Sequence, residues 1–407
     1  MTTPRQWATA LAVLAVAAAW AWGAHALWAS TELPTTNLPQ LDPHSYFGDS
    51  FLDRSATYER FLVILSLLGS AVVIAALAFY ARSGHRLARE SAAGRVGTGL
   101  LLAMLGFAVV WLTQVPFDLA ALWWQRRYDV SHQDYVPHLV NSFLSLGSQF
   151  VFVCLGFAVM MGLAGTMRRW WWLVAAPAFA ALALAFVFVS PYLIPNTSKV
   201  DDPRLAAEAR ALERIEDAPQ AQLRVQDVHR FTDAPNAEAT GLGPSRTVVL
   251  WDTLLRNDDF SPEEVRIVLA HEIGHLAHDD PLKRVGWMAV FLIPALGLIA
   301  LLTRRRGGLA RPEAVPVALL VLVAAQLLAA PLLNTAYRRE EAAADWAALN
   351  ATREPETDRS LMQNLAKKSL GDPDPPAWVY GLFENHPTIM QRIAISQAWE
   401  EEQRGGR

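Results

Sequence analysis

The stretch Leu269-Ala270-His271-Glu272-Ile273-Gly274-His275 sets two imidazoles four residues apart with a carboxylate between them. On a helix, positions i and i+4 share a face one turn apart, so His271 and His275 can reach one metal ion. Glu272 is then placed as a general base, the arrangement that a helical His-Glu-x-x-His uses for metal-assisted hydrolysis. Catalytic zinc takes three protein ligands and keeps a fourth position for water, whose pKa it lowers to about 7. A third ligand must therefore come from elsewhere. Cys154 is the only cysteine and lies in an apolar run, which leaves histidine and carboxylate as donors. The downstream candidates are His278 and His386 and the carboxylates Glu340, Glu341, Asp345, Glu354, Glu356 and Glu384, with Glu340 and His278 the main alternatives to Glu341. Glu341 is favoured, because Arg338 to Asp345 is strongly helix-forming and puts Glu341 and Asp345 on one face, Asp345 steadying a ligand from behind. Asp279 and Asp280, ahead of Pro281, read as the end of the motif helix rather than as ligands.

The elements that must hold these groups are announced locally. Ser261-Pro262-Glu263-Glu264 supplies an N-cap, a first-turn proline and the glutamate of a capping box, so the motif lies well inside a helix. Asp202 to Ile215 reads as a helix, Leu223 to Arg230 and Arg246 to Trp251 as strands. Around them the chain is 53% hydrophobic and only 18% charged, with the apolar residues gathered into long runs, a membrane-protein distribution. A net charge of -4 offers no polyelectrolyte surface for nucleic acid.

Seven runs are long enough to cross a bilayer, near 6–28, 61–81, 98–122, 141–165, 170–194, 285–303 and 314–335. The first reads as an uncleaved anchor, being longer than a signal-peptide core and rich in tryptophan. Trp20, Trp22, Trp28, Trp111, Trp123, Trp124 and Trp170 to Trp172 cluster at span ends and read as interfacial belts. The expected fold is mainly α: seven transmembrane helices and a zincin-like α+β metalloprotease domain. Its organisation is 1–195 for spans one to five, 196–283 for the first part of the protease domain, 284–335 for a two-span hairpin, and 336–407 for the second part. The hairpin returns the chain to the side it left, so the two polar pieces can form one site.

With these residues in place, the chain resembles the integral-membrane zinc endopeptidases of the CAAX prenyl protease 1 type, relatives of the smaller heat-shock membrane protease. The resemblance rests on His271 to His275, on Glu341 to Asp345 beyond a two-span hairpin, on Asn236-Ala237 with Gly241 and Arg246 to Leu255, and on Asn385-His386-Pro387 running to Ile393. It implies one catalytic zinc on His271, His275 and Glu341, with Glu272 as base. It also implies substrate-strand contacts at Asn236 and Ala237, an oxyanion donor in His386, and supporting roles for Asp345, Arg338 and Arg392. Tyr337, where the family often has serine, and the pair Ala342 and Ala343, where bulkier residues are common, depart from its pattern. The motifs cover roughly residues 223 to 395; over the first five spans only the hydropathy layout agrees.

The expected activity is peptide-bond hydrolysis on membrane-associated or lipidated proteins, prenylated ones included. Arginines are concentrated in the short loops on the N-terminal side, among them Arg82, Arg86, Arg95, Arg168, Arg169 and Arg304 to Arg306, against Arg54, Arg60, Arg126 and Arg127 opposite. That bias places the protease domain outside the cytoplasm, in a plasma membrane. A catalytically silent membrane scaffold has no physical need for Glu272. A multi-pass metal transporter would carry more ionisable residues within its spans than His25 and Asp118.

Overall fold

The structure is a computed structural model that describes residues 4–33, 37–90, 93–168, 170–256 and 259–405. Arg169, one of the loop cations, lies outside them. Five long helices come first: α1 (Pro4–Ala29), α2 (Asp49–Ser83), α3 (Gly94–Arg127), α4 (Tyr135–Met167) and α5 (Trp171–Val189). A mixed segment comes next, with β1 (Thr197–Lys199), α6 (Pro203–Ile215), β2 (Gln222–Gln226), β3 (Ala237–Thr240), β4 (Thr247–Trp251) and α7 (Pro262–Ala277). Then come α8 (Asp280–Leu302), α9 (Val315–Thr352), α10 (Pro355–Ser369), α11 (Ala377–Phe383) and α12 (Ile389–Gly405). Among the described residues, six helices are long and apolar enough to cross a membrane, α2, α3, α5, α8, α9 and the part of α4 from Phe150. The apolar part Val13–Ala29 of α1 is shorter. The protein is a multi-pass membrane protein, mainly helical, with one small sheet.

Several helices run past the spans that hydropathy marks. α2 begins twelve residues before the apolar run at 61, and α9 carries the last span straight on to Thr352 without a break. Helix propensity does not end where the bilayer does, whereas hydropathy detects only the lipid-facing part. Pro331 lies inside α9, and its own carbonyl accepts from Thr335 Oγ1 at 2.9 Å. The tryptophans divide. Trp22 and Trp28 are exposed, Trp28 with Arg339 over its ring, but Trp171 is buried, and Trp124 stacks on Phe61 at 4.2 Å and donates to the Tyr58 carbonyl. Trp171 and Trp124 are packing residues.

The sheet has the order β1-β2-β4-β3. β2 and β4 are parallel, while β1 and β3 are antiparallel to their neighbours. The strand expected to reach Arg230 stops at Gln226, because Asp252 Oδ1 accepts the N–H groups of Val228 and His229 and turns the chain. Among the described residues two large buried cores result, beside two small clusters. One lies among the spans, around Leu77, Phe157, Trp171 and Ile299. The other joins α6, the sheet, α7, the end of α9, α10 and α12 around Leu212, Leu250, Leu269 and Ile393. The α3–α4 connection touches this second body directly: Ser131 bridges Thr232, and His132 Nε2 lies 2.8 Å from Asp233 Oδ2. The segment leading into β3 is thereby tied to the membrane helices.

Candidate metal centre and substrate cleft

α7 starts where its cap dictates. Ser261 Oγ accepts from the Glu264 N–H, and Glu264 Oε2 accepts from the Ser261 N–H at 2.8 Å, a reciprocal capping box. Glu264 Oε1 also accepts from Ser360 and Asn364 of α10, so the cap fixes the helix in the fold as well as starting it. Ten residues on, His271, Glu272 and His275 are all buried. α9 packs along α7, and the approach is close at Gly274: a Cβ there would meet Glu216 Oε2 at 3.3 Å and Ala347 Cβ at 3.4 Å.

Across this contact α9 delivers Glu341. Its Oε2 lies 3.2 Å from His271 Nε2 and its Oε1 3.4 Å from His275 Nε2, and the two Nε2 atoms are 3.2 Å apart. Neither Glu340 nor His278 joins this group, whose ligand atoms all fall within 4.8 Å of one another. Behind each imidazole stands a carboxylate: Asp345 Oδ1 at 2.9 Å from His271 Nδ1, and Asp280 Oδ2 at 2.8 Å from His275 Nδ1. His275 donates from Nδ1 to Asp280, which turns its Nε2 lone pair outward, and His271 has Asp345 at ion-pair distance behind its Nδ1, with its Nε2 on the same side as that of His275. Asp345 is in turn held by Arg392 through Nε at 2.9 Å and Nη2 at 2.5 Å, and Asp280 by Lys283.

The donor set fits a divalent metal. Burial opposes protonation of His271 and His275, yet the carboxylates Asp345, Glu341 and Asp280 outweigh it and raise the two imidazoles to about 9 and about 10. Without an ion, the carboxylates draw protons onto both rings. A cation with nitrogen and oxygen affinity satisfies the same demand with neutral histidines.

Of the other residues singled out in the sequence, His386 reaches the centre, with Nε2 3.2 Å from Glu341 Oε2 and Nδ1 2.8 Å from Asn385 Oδ1. Arg338 does not. Its guanidinium bonds the carbonyls of Tyr380 and Glu384 and lies over the Tyr380 ring, tying the chain ahead of His386 to α9. The cation at Glu341 is instead Arg284, with Nη2 3.0 Å from Oε1. Asp280 and Arg284 are not singled out by sequence pattern. Pro281 gives Asp280 a sufficient local explanation, and Arg284 meets its partner 57 residues away; the signal for Asp280 is its position five residues past His275.

β3 forms one wall of a cavity of about 1000 Å³ that also exposes His271, Glu272, His275 and His386. The Asn236 carbonyl accepts from the Trp251 N–H at 2.9 Å, so residues 236, 238 and 240 turn their backbone groups toward β4. By antiparallel alternation, the N–H and C=O groups of Ala237 and Ala239 point to the open edge. Asn236 also lines the cavity. The membrane-side wall comes from Ala183, Phe186 and Val187 of α5 and Met288 of α8. A second His/Asp group, Asp227, His229 and Asp252, lies apart. There His229 Nδ1 sits 2.6 Å from Asp252 Oδ2, which also serves the turn after β2, so these are the bonds of a turn.

Fold and site together define a membrane metalloendopeptidase whose centre is completed across two membrane helices. Residues 200–400 match the model of peptidase family M48. The chain is 31% identical over 200 residues to the protease HtpX homolog of Campylobacter concisus, covering 43% of this chain and 68% of that protein. It is 26% identical over 305 residues to the uncharacterized metalloprotease YhfN of Bacillus subtilis, covering 71% of each. The crystal structure of S. mikatae Ste24p superimposes with a TM-score of 0.72 at 18% identity, covering 97% of this chain and 99% of that one, which shows a shared fold. The chain belongs to peptidase family M48.

Proposed function

We propose that this protein is a zinc-dependent endopeptidase that cuts extended segments of membrane-associated or lipidated proteins. The observation that carries the reading is the open edge of β3, which runs beside the His271–His275–Glu341 cluster and Glu272 in a single cavity. A substrate strand adds to that edge through main-chain bonds at Ala237 and Ala239, a mode that reads backbone more than sequence. Bound zinc on His271, His275 and Glu341 would supply Lewis acidity and an acidified water. Glu272 takes the proton of the attacking water and returns it to the leaving nitrogen. His386, flanked by oxygens on both ring nitrogens, is set to donate to the oxyanion once substrate arrives. Prenylated proteins are the narrower substrate reading. The resemblance to the CAAX proteases motivates it, and the apolar α5 and α8 wall supports it by offering a lipid-like surface.

Glu272→Gln is the decisive variant. It should keep one zinc per chain and lose about 10²- to 10⁴-fold in turnover of a casein-like or prenylated peptide. Full activity in the purified variant, or activity of the wild type that a chelator leaves untouched, would sink the reading; a wild type with no activity at all would favour a catalytically silent scaffold.

The catalytic face is assigned to the extracytoplasmic side of the plasma membrane. The loops opposite the site hold Arg82, Arg86, Arg95, Arg168 and Arg304 to Arg306. Of the cations flanking the site, Lys283, Arg284, Arg338 and Arg339 are bonded within the protein, which leaves Lys199, Arg204 and Arg210 to set against those loops. A topology reporter fused to the C-terminus and active only in the cytoplasm should be silent; a strong cytoplasmic signal reverses the assignment.

A further inference from the structure

We infer that Arg284 is a positioning residue that holds one oxygen of Glu341 so that the other alone is presented to the metal. The inference rests on the reading of His271, His275 and Glu341 as a zinc site. Arg284 stands in the first turns of α8, just after Asp280 has fixed His275, and its planar fork spans two consecutive carboxylates of α9. Nε donates to Glu340 Oε2 and Nη2 to Glu341 Oε1, each at 3.0 Å. The Tyr337 ring, one turn before Glu341, lies 5.3 Å from the guanidinium and limits its tilt.

The two oxygens of Glu341 are consequently unlike. Oε2 faces His271 Nε2 and His386 Nε2 at 3.2 Å each, while Oε1 lies farther out, 3.4 Å from His275 Nε2, and is the oxygen bonded to Arg284. A free carboxylate can chelate zinc through both oxygens and fill the position that a catalytic site keeps open for water. Holding Oε1 prevents this. Glu340 serves the same end from the other side. It is fully buried and its Oε1 has no partner, a costly arrangement whose one ionic contact is the arginine. With Glu340 in place, a guanidinium whose side chain is 40% exposed is anchored rather than free to swing into solvent.

A plainer account has Arg284 present only to neutralise the buried Glu340. Comparing Arg284→Met with Arg284→Met/Glu340→Gln, both purified in detergent, separates the two. In Arg284→Met, kcat should fall about tenfold or more with KM little changed. Zinc affinity should weaken about 10- to 100-fold, as for other outer partners of metal ligands. The visible bands of the cobalt-substituted protein should weaken as a further oxygen joins the metal. The double variant should recover thermal stability but neither kcat nor the cobalt spectrum. Recovery of both would overturn the inference and leave Arg284 as a counter-ion. Should the methionine variants fail to fold, Arg284→Lys applies the same test, since an ammonium cannot bridge two carboxylates as a fork does: it should keep the fold and show the kcat and spectral changes, and a wild-type kcat and spectrum would overturn the inference. A wild-type protein that binds no zinc would instead refute the metal-site reading on which the inference stands.

Discussion

Each histidine of the cluster is aimed by a carboxylate of its own, and the two carboxylates reach it by different routes. Asp345 arrives on α9 one turn after Glu341, and Asp280 opens α8 directly after the motif helix. Asp345→Asn and Asp280→Asn should each weaken zinc binding about 10- to 100-fold, measured by chelator competition, with the fold retained. Asp358 on α10 is buried near the same network. Burial, with Asp345 adding to it, pushes its carboxyl up to about 7. A folded-state pKa above the unfolded value near 4 means that the native state holds the proton longer. Stability is therefore lost as pH rises from about 4 to about 7. Asp358→Asn should melt higher than wild type at pH 8, by the equivalent of about 2 to 4 kcal/mol, and equally at pH 4; a gap that is the same at both values would contradict this. At this scale the sequence exposed pairings set by spacing along one helix, such as His271 with His275 and Glu341 with Asp345. It hid contacts between elements, and Arg284 with Glu341 is the plainest case.

The elements meet in two places that decide function. One is the α7–α9 contact at Gly274, where Ala344 and Ala347 approach the helix that carries both histidines. Gly274→Leu should push the helices apart, costing about 1 to 3 kcal/mol and loosening the metal, detectable as a lower melting temperature and faster zinc release. The other is the free edge of β3. Ala239→Pro removes an outward N–H that β4 does not use, so the fold should survive while kcat/KM falls about tenfold, the value of one hydrogen bond. Unchanged kcat/KM would argue that substrate does not pair there. The capping box of α7 was legible because its residues are contiguous. β1 was not, since three residues of a short strand carry no period to read. The same limit applies to the β2 boundary, which a side chain 24 positions away sets.

For the whole molecule, hydropathy located the spans but not where their helices end. The extension of α2 shows why this matters: Glu59, beyond the apolar run, accepts the Asp372 N–H at 2.7 Å and joins a membrane helix to the loop between α10 and α11. Contacts of this sort, with the tie between Ser131 and Thr232, seat the catalytic body on the bundle. The single helix that runs from Val315 to Thr352 has a mechanical meaning. At about 1.5 Å per residue, Glu341 sits about 15 Å beyond Pro331 on the same helix, so a tilt or axial shift of the span would be passed to the proposed metal ligand. Bilayer thickness is then expected to tune the chemistry. In liposomes of graded acyl-chain length, kcat should pass through a maximum where the hydrocarbon depth matches the span and fall on either side.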